Sequence, residues 1–252
     1  MTNIRVVAKK SLGQNFLVNE GVLDRIVSTA GLTSANTVVE VGPGTGSLTM
    51  RLVATGARVI AIEKDRRLIE PLRELFASTR HVDIIEGDVR EWTPELTAGS
   101  YSVVANIPYY LTSHLIRRIL EEWPAPTRAI LMVQYDVAKR MTATPPNMNL
   151  LALSVQLYAI PSIVMRVSRG SFRPMPDIES AVIQLELRQL SHEEHEAARA
   201  ILELARTAFM HKRKQLSHSI DAVAIQKAGI DPKIRPQELS IEDWRRIVVA
   251  LH

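Results

Sequence analysis

The chain has 252 residues, 46% of them hydrophobic, enough for one large core and a small second domain. It contains no cysteine, which excludes disulfides and thiolate metal sites, and its seven histidines show no ligand-like pairing, so no metal is expected. A formal net charge of +4 and an isoelectric point near 9.5 permit a nucleic-acid partner without requiring one.

Residues 19–30 read as an amphipathic helix with Val22, Leu23, Ile26 and Val27 on one face. The apolar run Thr37–Val41 stops at a glycine-rich turn, the pattern of a buried parallel strand, and a helix begins at Ser47. Arg58–Ile62 is a second buried strand with a helix through Phe76. Val82–Ile85 is a weaker third, and Tyr101–Ala105 a fourth, with a helix from about Ser113 to Glu122. Ala129–Val133 is a fifth, followed by a helix from Asp136 to Met141. Leu150–Tyr158 is ambiguous between helix and strand, while Ser162–Val167 and Ala181–Leu187 read as late strands. Five alternations of strand and helix predict an α/β doubly wound sheet that binds its ligand at the strand C-terminal edge. From about Ser191 the pattern turns helical. His192–Phe209 is continuous, Lys212–Val223 extends it, and Glu242–Ala250 follows an N-cap at Ser240. The expected domains are 1–188 and a small all-helical 189–252. No apolar run spans a bilayer and no signal core follows Arg5, Lys9 and Lys10, so a cytoplasmic protein with no membrane partner is expected.

Four strand ends carry the chemistry. Glu40-Val-Gly-Pro-Gly-Thr-Gly46 places glycines at 42, 44 and 46 between a strand and a helix, where backbone can approach a ligand closely. The spacing is G-x-G-x-G rather than the dinucleotide G-x-G-x-x-G, which suits a ligand without phosphates. By itself the motif also fits a plain tight turn. Glu63 ends the second strand at the position of an acid that grips ribose hydroxyls. Asp88, in Gly87-Asp88, could accept from a cofactor's adenine amino group, although Gly-Asp is common in turns.

Asn106-Ile-Pro-Tyr109 ends the fourth strand and is the sharpest signal. An adenine amino nitrogen is a poor nucleophile because its lone pair is delocalised into the ring. Accepting both amine hydrogens, on the Asn106 side-chain oxygen and the Ile107 carbonyl, would push it toward tetrahedral geometry. Pro108 fixes the local backbone and brings no N–H to compete. Tyr109 could stack on an extruded base.

Together with Lys10-Ser-Leu-Gly-Gln-Asn-Phe-Leu17, Ser171-Phe-Arg-Pro-Met-Pro-Asp-Ile-Glu-Ser-Ala181 and Phe209-Met-His-Lys-Arg-Lys-Gln-Leu216, these motifs make the chain resemble the KsgA-type family of small-subunit (16S) rRNA adenine dimethyltransferases. That family shares its fold with the macrolide-resistance Erm methyltransferases. The resemblance implies a Rossmann-like S-adenosylmethionine-dependent methyltransferase sheet with a helical C-terminal domain. It also implies dimethylation of two adjacent adenines in a hairpin loop near the rRNA 3′ end during ribosome biogenesis. Asn15 and Leu17 would close over the methionine end of S-adenosylmethionine. Gly42 and Gly44 would lie beneath it, Glu63 would hold the ribose, Asp88 the adenine, and Asn106 would bridge cofactor and target. Phe172 would face the target adenine opposite Tyr109. Without the resemblance Phe172 reads as a core residue. Tyr110 departs from the family pattern, where Asn is frequent.

Basic residues at Arg117, Arg118, Lys139, Arg140, Arg166, Arg169 and Arg173, and above all the run Lys212, Arg213 and Lys214, are expected to include contacts to RNA phosphates. Several of them equally fit an ordinary solvated face. The partners expected are ribosomal RNA and the immature small subunit, and the chain is expected to be a monomer. Two alternatives are an Erm-type large-subunit (23S) enzyme and a mainly non-catalytic assembly factor.

Overall fold

The computed structural model describes residues 4, 6–9, 12–106 and 108–251. They pack as two compact units. One comprises the chain up to Ala138 together with 162–189, and the other comprises 139–161 together with the chain from Leu190. The division proposed at 188/189 therefore needs residues 139–161 counted with the helical unit.

In the first unit β1 (Phe16–Leu17) leads into α1 (Glu20–Ala30), then β2 (Thr37–Val41), α2 (Ser47–Ala54), β3 (Arg58–Glu63) and α3 (Arg66–Leu75). β4 (Val82–Glu86) and β5 (Tyr101–Asn106) follow, and a 3-10 turn at Tyr109–Leu111 opens α4 (Thr112–Arg117). The strand after it is β6 (Arg128–Gln134), followed by α5 (Tyr135–Met141). The chain continues through α6 (Leu150–Tyr158) to β7 (Ala159–Val167), β8 (Phe172–Arg173) and β9 (Ser180–Leu187). The seven-stranded sheet runs β4-β3-β2-β5-β6-β9-β7. β2 pairs in parallel with both β3 and β5, so strand order reverses at β2, and the crevice at its C-terminal end is the expected ligand site.

Neighbouring residues on a strand face opposite sides of a sheet. Val38 and Val39 on β2, and Val103 and Val104 on β5, are all fully buried, so both faces are covered. Val22, Leu23 and Ile26 of α1, with Leu48 and Leu52 of α2, pack on the face that presents Val38, Val59 and Val104. Truncating Leu23 or Ile26 to alanine there costs about 2–5 kcal/mol. The Asn19 side chain caps α1 by accepting from Val22 N–H (3.1 Å), and Gly31, at φ 58°, ends it.

The second unit contains α5's end, α6, α7 (His192–Met210), α8 (Ala222–Lys227) and α9 (Ile241–Ala250). α6 packs on α7 and α9, which resolves the ambiguous 150–158 segment as helix, capped by Asn149 accepting from Ala152 N–H (3.1 Å). Ser191 with Glu194, and Ser240 with Asp243, form reciprocal capping boxes at the starts of α7 and α9. The continuous helix expected over Lys212–Val223 is not present. α7 ends at Met210, a turn carries the basic run, a 3-10 turn spans Leu216–His218, and Asp221 caps α8 afresh. Three adjacent cations leave that stretch without an apolar stripe to bury. The helix expected over 113–122 is also divided, with Arg118–Glu122 forming a π turn after α4. Among the described residues no helix is long and apolar enough to cross a membrane.

Candidate active site

The C-terminal ends of β2, β3, β4 and β5 open into one cavity, with about 880 Å³ of empty space when its open mouth is included. Asn15, Gly42, Gly44, Glu63, Asp88, Asn106, Pro108, Tyr109 and Phe172 all line it. Six separate segments of sequence therefore converge there.

The glycine loop is the floor. Gly42, Gly44 and Gly46 have φ of 72°, 58° and 80°, a left-handed conformation that side chains disfavour. A Cβ on Gly44 would sit 3.1 Å from the Phe16 ring, whereas one on Gly42 would meet nothing nearer than the Asn106 carbonyl at 4.0 Å. Gly44 thus admits the N-terminal segment and Gly42 leaves open space for a ligand.

Glu63 is 7% exposed and is held in place by the backbone. Its Oε2 accepts from Gly44 N–H (3.1 Å), and its Oε1 accepts from Lys64 N–H (2.9 Å) and Asp65 N–H (2.8 Å). Burial raises its pKa and those three donors offset the rise in part. Each oxygen keeps acceptor capacity for a ligand hydroxyl. Asp88 is engaged more fully. Arg90 chelates it through Nε and Nη2, Arg90 N–H donates to Oδ1 (3.0 Å), and Lys64 Nζ lies 2.8 Å from Oδ2. Arg90 foremost, then Lys64, holds this carboxyl well below the usual carboxylate range. An amino group arriving at Asp88 must share it with Arg90, whose side chain is 47% exposed.

Asn106 ends β5. Its Nδ2 donates to the Asn15 carbonyl (3.3 Å), which orients the amide and leaves Oδ1 as the acceptor for a ligand. Ile107 lies outside the described residues. Tyr109 is half-buried and its hydroxyl shares a hydrogen bond with Ser180 Oγ on β9 (2.9 Å), which fixes the ring. Burial also raises its pKa. Phe172 lines the cavity yet is only 2% exposed and belongs to the core that contains α1 and α2. Leu17 does not line the main cavity. It is 5% exposed in the core and lines a smaller cavity behind the glycine loop.

The N-terminal segment is a strap over this site. β1 pairs antiparallel with β8, matching Leu17 with Phe172. Gln14 Nε2 donates to Asp65 Oδ2 (2.9 Å), and Lys9 N–H donates to Gln14 Oε1 (2.8 Å). Asp65, the N-cap of α3, has its pKa lowered to about 2, chiefly by Arg67. A Cβ on Gly13 would meet the Tyr110 ring at 3.3 Å, so the residue that departs from the family pattern packs beneath the strap. Gln14, Phe16, Lys64 and Tyr110 were not singled out as lining residues from sequence, although Gln14 and Phe16 stand inside the N-terminal motif.

The basic residues divide. Lys212, Arg213 and Lys214 are exposed in the turn after α7, and Arg140 is exposed at the end of α5. Arg117 is 65% exposed and faces Glu121 and Glu122 at 3.5 and 3.7 Å. Arg166 pairs with Glu179 and lies 4.7 Å over the Tyr135 ring. Arg118, expected among the surface cations, is instead buried at 8% and donates inward.

The ribosomal RNA adenine dimethylase family model matches residues 6–252. The chain is 38% identical to ribosomal RNA small subunit methyltransferase A of Dehalococcoides mccartyi, over 98% of this chain and 89% of the relative. It is 39% identical to the protein of that name from Novosphingobium aromaticivorans, over 97% and 93%. Among solved structures, a dimethyladenosine transferase from Plasmodium falciparum matches with TM-score 0.77 and 27% identity, covering 92% of this chain and 95% of that one. The 23S rRNA methyltransferase ErmE matches with TM-score 0.75 and 27% identity, covering 94% and 99%. A family match across nearly the whole chain, on a fold that gathers the motifs at one sheet edge, places the chain in the ribosomal RNA adenine dimethylase family.

Proposed function

We propose that this chain uses S-adenosylmethionine to dimethylate two adjacent adenines in a 3′-terminal hairpin loop of small-subunit rRNA. The observation that carries the reading is the setting of Asn106, oriented by the Asn15 carbonyl at the edge of a cavity floored by the glycine loop. The cavity fits the methyl donor: it offers an unobstructed backbone cradle at Gly42, a buried carboxylate at Glu63 for ribose hydroxyls, and Asp88 for the adenine amino group. Asn15, at the strap end of the cavity, would contact the methionine end. Leu17 would act there through its backbone, since its side chain is in the core.

The bound donor supplies an electrophilic sulfonium methyl. The chain's task is to bring the adenine amine to it and to free the nitrogen lone pair. Asn106 Oδ1 would accept one amine hydrogen; the Ile107 carbonyl, the acceptor expected for the other, lies outside the described residues. Pro108 removes a competing donor. Tyr109, braced by Ser180, presents a fixed ring to one face of the base, worth about 1–3 kcal/mol as a stack. Phe172, on the cavity wall, would face the base from the core side. Transfer would break the sulfonium S–CH3 bond, leaving the donor as a neutral thioether and the nitrogen cationic, and the nitrogen's proton would then pass to solvent without a strong base. Alignment of nitrogen and methyl provides most of the rate.

RNA phosphates would be held by Lys212, Arg213, Lys214, Arg140 and Arg117, giving an affinity that falls with salt. The setting is cytoplasmic, the substrate an immature small subunit, and the acting species a monomer. The 27% identity to ErmE does not favour large-subunit RNA, while the 38–39% identity to small-subunit enzymes supports the reading adopted. The test is incubation with methyl-labelled S-adenosylmethionine and unmethylated small or large subunits separately. Label confined to small-subunit RNA is the expected result, and label in large-subunit RNA would overturn the substrate assignment.

A further inference from the structure

Arg118 sits one residue beyond α4, at the start of the π turn, 8% exposed. Its Nη1 donates to the Arg90 carbonyl and its Nη2 to Thr93 Oγ1 (2.8 Å). Both acceptors belong to the loop after β4 that begins with Asp88. That loop is a tight turn, with Glu91 and Trp92 N–H groups donating to the Asp88 carbonyl (both 2.9 Å). A second contact lies beside the first: the Trp92 and Trp123 rings meet edge to face at 5.7 Å. Trp123 closes the π turn by donating its N–H to the Arg118 carbonyl (2.8 Å). The turn thus supplies both points of attachment, and π turns recur at functional sites.

At its other end the same helical segment grows out of the Asn106–Tyr109 motif, where Leu111 N–H donates to the Pro108 carbonyl (2.9 Å). One rigid element therefore connects the loop that receives the target base to the loop that carries Asp88. We propose that Arg118 is a positioning residue that fixes the Asp88 loop against this element, so that the site selects a cofactor whose base carries a 6-amino group. The proposal rests on the reading of Asp88 as the cofactor-adenine contact.

A guanidinium is needed for geometric reasons. Two acceptors three residues apart are met by two arms of one planar fork, whereas an ammonium offers a single centre. Arg118 is enclosed, so its charge is spent inside the protein and not on RNA. The loop it holds also carries Arg90, the cation that chelates Asp88. Loosening the loop moves the carboxylate and its chelating arginine together, and this blurs the distinction between a ligand that donates to Asp88 and one that does not.

The test compares two probes, S-adenosyl-L-homocysteine and its deaminated analogue S-inosyl-L-homocysteine, by titration calorimetry on the full chain. The analogue replaces the amino donor with a carbonyl oxygen facing a carboxylate. The wild-type protein is expected to prefer the adenosyl probe by about 10- to 100-fold, the effect of one hydrogen bond to a charged group. Arg118→Lys should reduce that preference to about threefold or less while the protein stays folded. An unchanged preference in folded Arg118→Lys, with both probes weakened equally, would mean Arg118 is only structural and would overturn the proposal. If Arg118→Lys does not fold, Thr93→Val removes one anchor alone. It should lower the preference in the same direction, and an unaltered ratio there overturns the proposal equally. A wild-type preference near one would instead overturn the assignment of Asp88 itself, and the proposal with it.

Discussion

Glu40 lies in the middle of β2 with its side chain 1% exposed, and neither carboxylate oxygen has a hydrogen-bond partner among the described residues. Burial, with a smaller contribution from the charge of Glu63, raises its pKa from 4.5 to about 8, and the nearby Thr49 hydroxyl offsets this only in part. The sign follows from proton counting. Below pH 4.5 both folded and unfolded chains hold the proton, and the group is neutral to stability. Between 4.5 and about 8 the unfolded chain releases it and the folded chain keeps it, so stability falls as pH rises, and the loss levels off above 8. At about 1.4 kcal/mol per pH unit, that interval amounts to about 5 kcal/mol. Glu40→Gln removes the proton without changing the shape. Its advantage over wild type should be smallest at pH 5 and grow by about 4 kcal/mol by pH 8.5. With an m-value of about 2–3 kcal/mol per molar urea, this is a growing shift of about 1.3–2 M in midpoint. Urea unfolding of both proteins by circular dichroism at pH 5, 6, 7, 8 and 8.5 checks it, because titrating groups that do not interact with Glu40 cancel in the difference. A difference that is flat with pH, or one that favours wild type more as pH rises, would refute the buried neutral carboxyl.

Three further substitutions probe the site. Gly44→Ala places a Cβ 3.1 Å from the Phe16 ring at φ 58°, and should lower stability by about 1–2 kcal/mol and weaken cofactor binding measured by calorimetry. Gln14→Ala breaks the link from the strap to Asp65 and should raise the cofactor dissociation constant severalfold while changing the melting temperature little. Tyr109→Phe loses the bond to Ser180 and should cost about 1 kcal/mol in unfolding free energy while leaving the methylation rate within a fewfold of wild type, since the stacking face remains.

Long buried strands were legible in the sequence because a run such as Thr37–Val41 or Arg58–Ile62, closed by glycine or an acid, has few other ways to bury its residues. Asn19, Asp65 and Ser240 each satisfy the first N–H groups of a helix, so their caps were readable in principle, and Ser240 was read. The β1–β8 pair was not readable. Strands of two residues have no periodicity, and Leu17 meets Phe172 across more than 150 positions of sequence. The dual character of Phe172, core residue and pocket wall, follows from that pairing. Arg118 was read as a surface cation because composition cannot tell an arginine that faces water from one that faces a carbonyl. The π turn that directs it inward leaves no signature in the spacing of apolar residues. Leu150–Tyr158 stayed ambiguous because all but two of its residues are apolar or aromatic, so no face stood out until α7 and α9 were seen to enclose it.

The central claim is that the Asn106 side chain activates an adenine amine in small-subunit rRNA. The direct measurement is mass-spectrometric mapping of dimethyladenine in the 3′ hairpin of small-subunit rRNA from cells that lack the endogenous enzyme and express this chain as wild type or as Asn106→Ala. In parallel, S-adenosyl-L-homocysteine affinity of both purified proteins is measured by calorimetry. The account predicts two dimethyladenines with wild type and a drop of about 10²–10³-fold or more in methylation with Asn106→Ala, at a cofactor affinity within about tenfold of wild type. Full dimethylation by Asn106→Ala would contradict it.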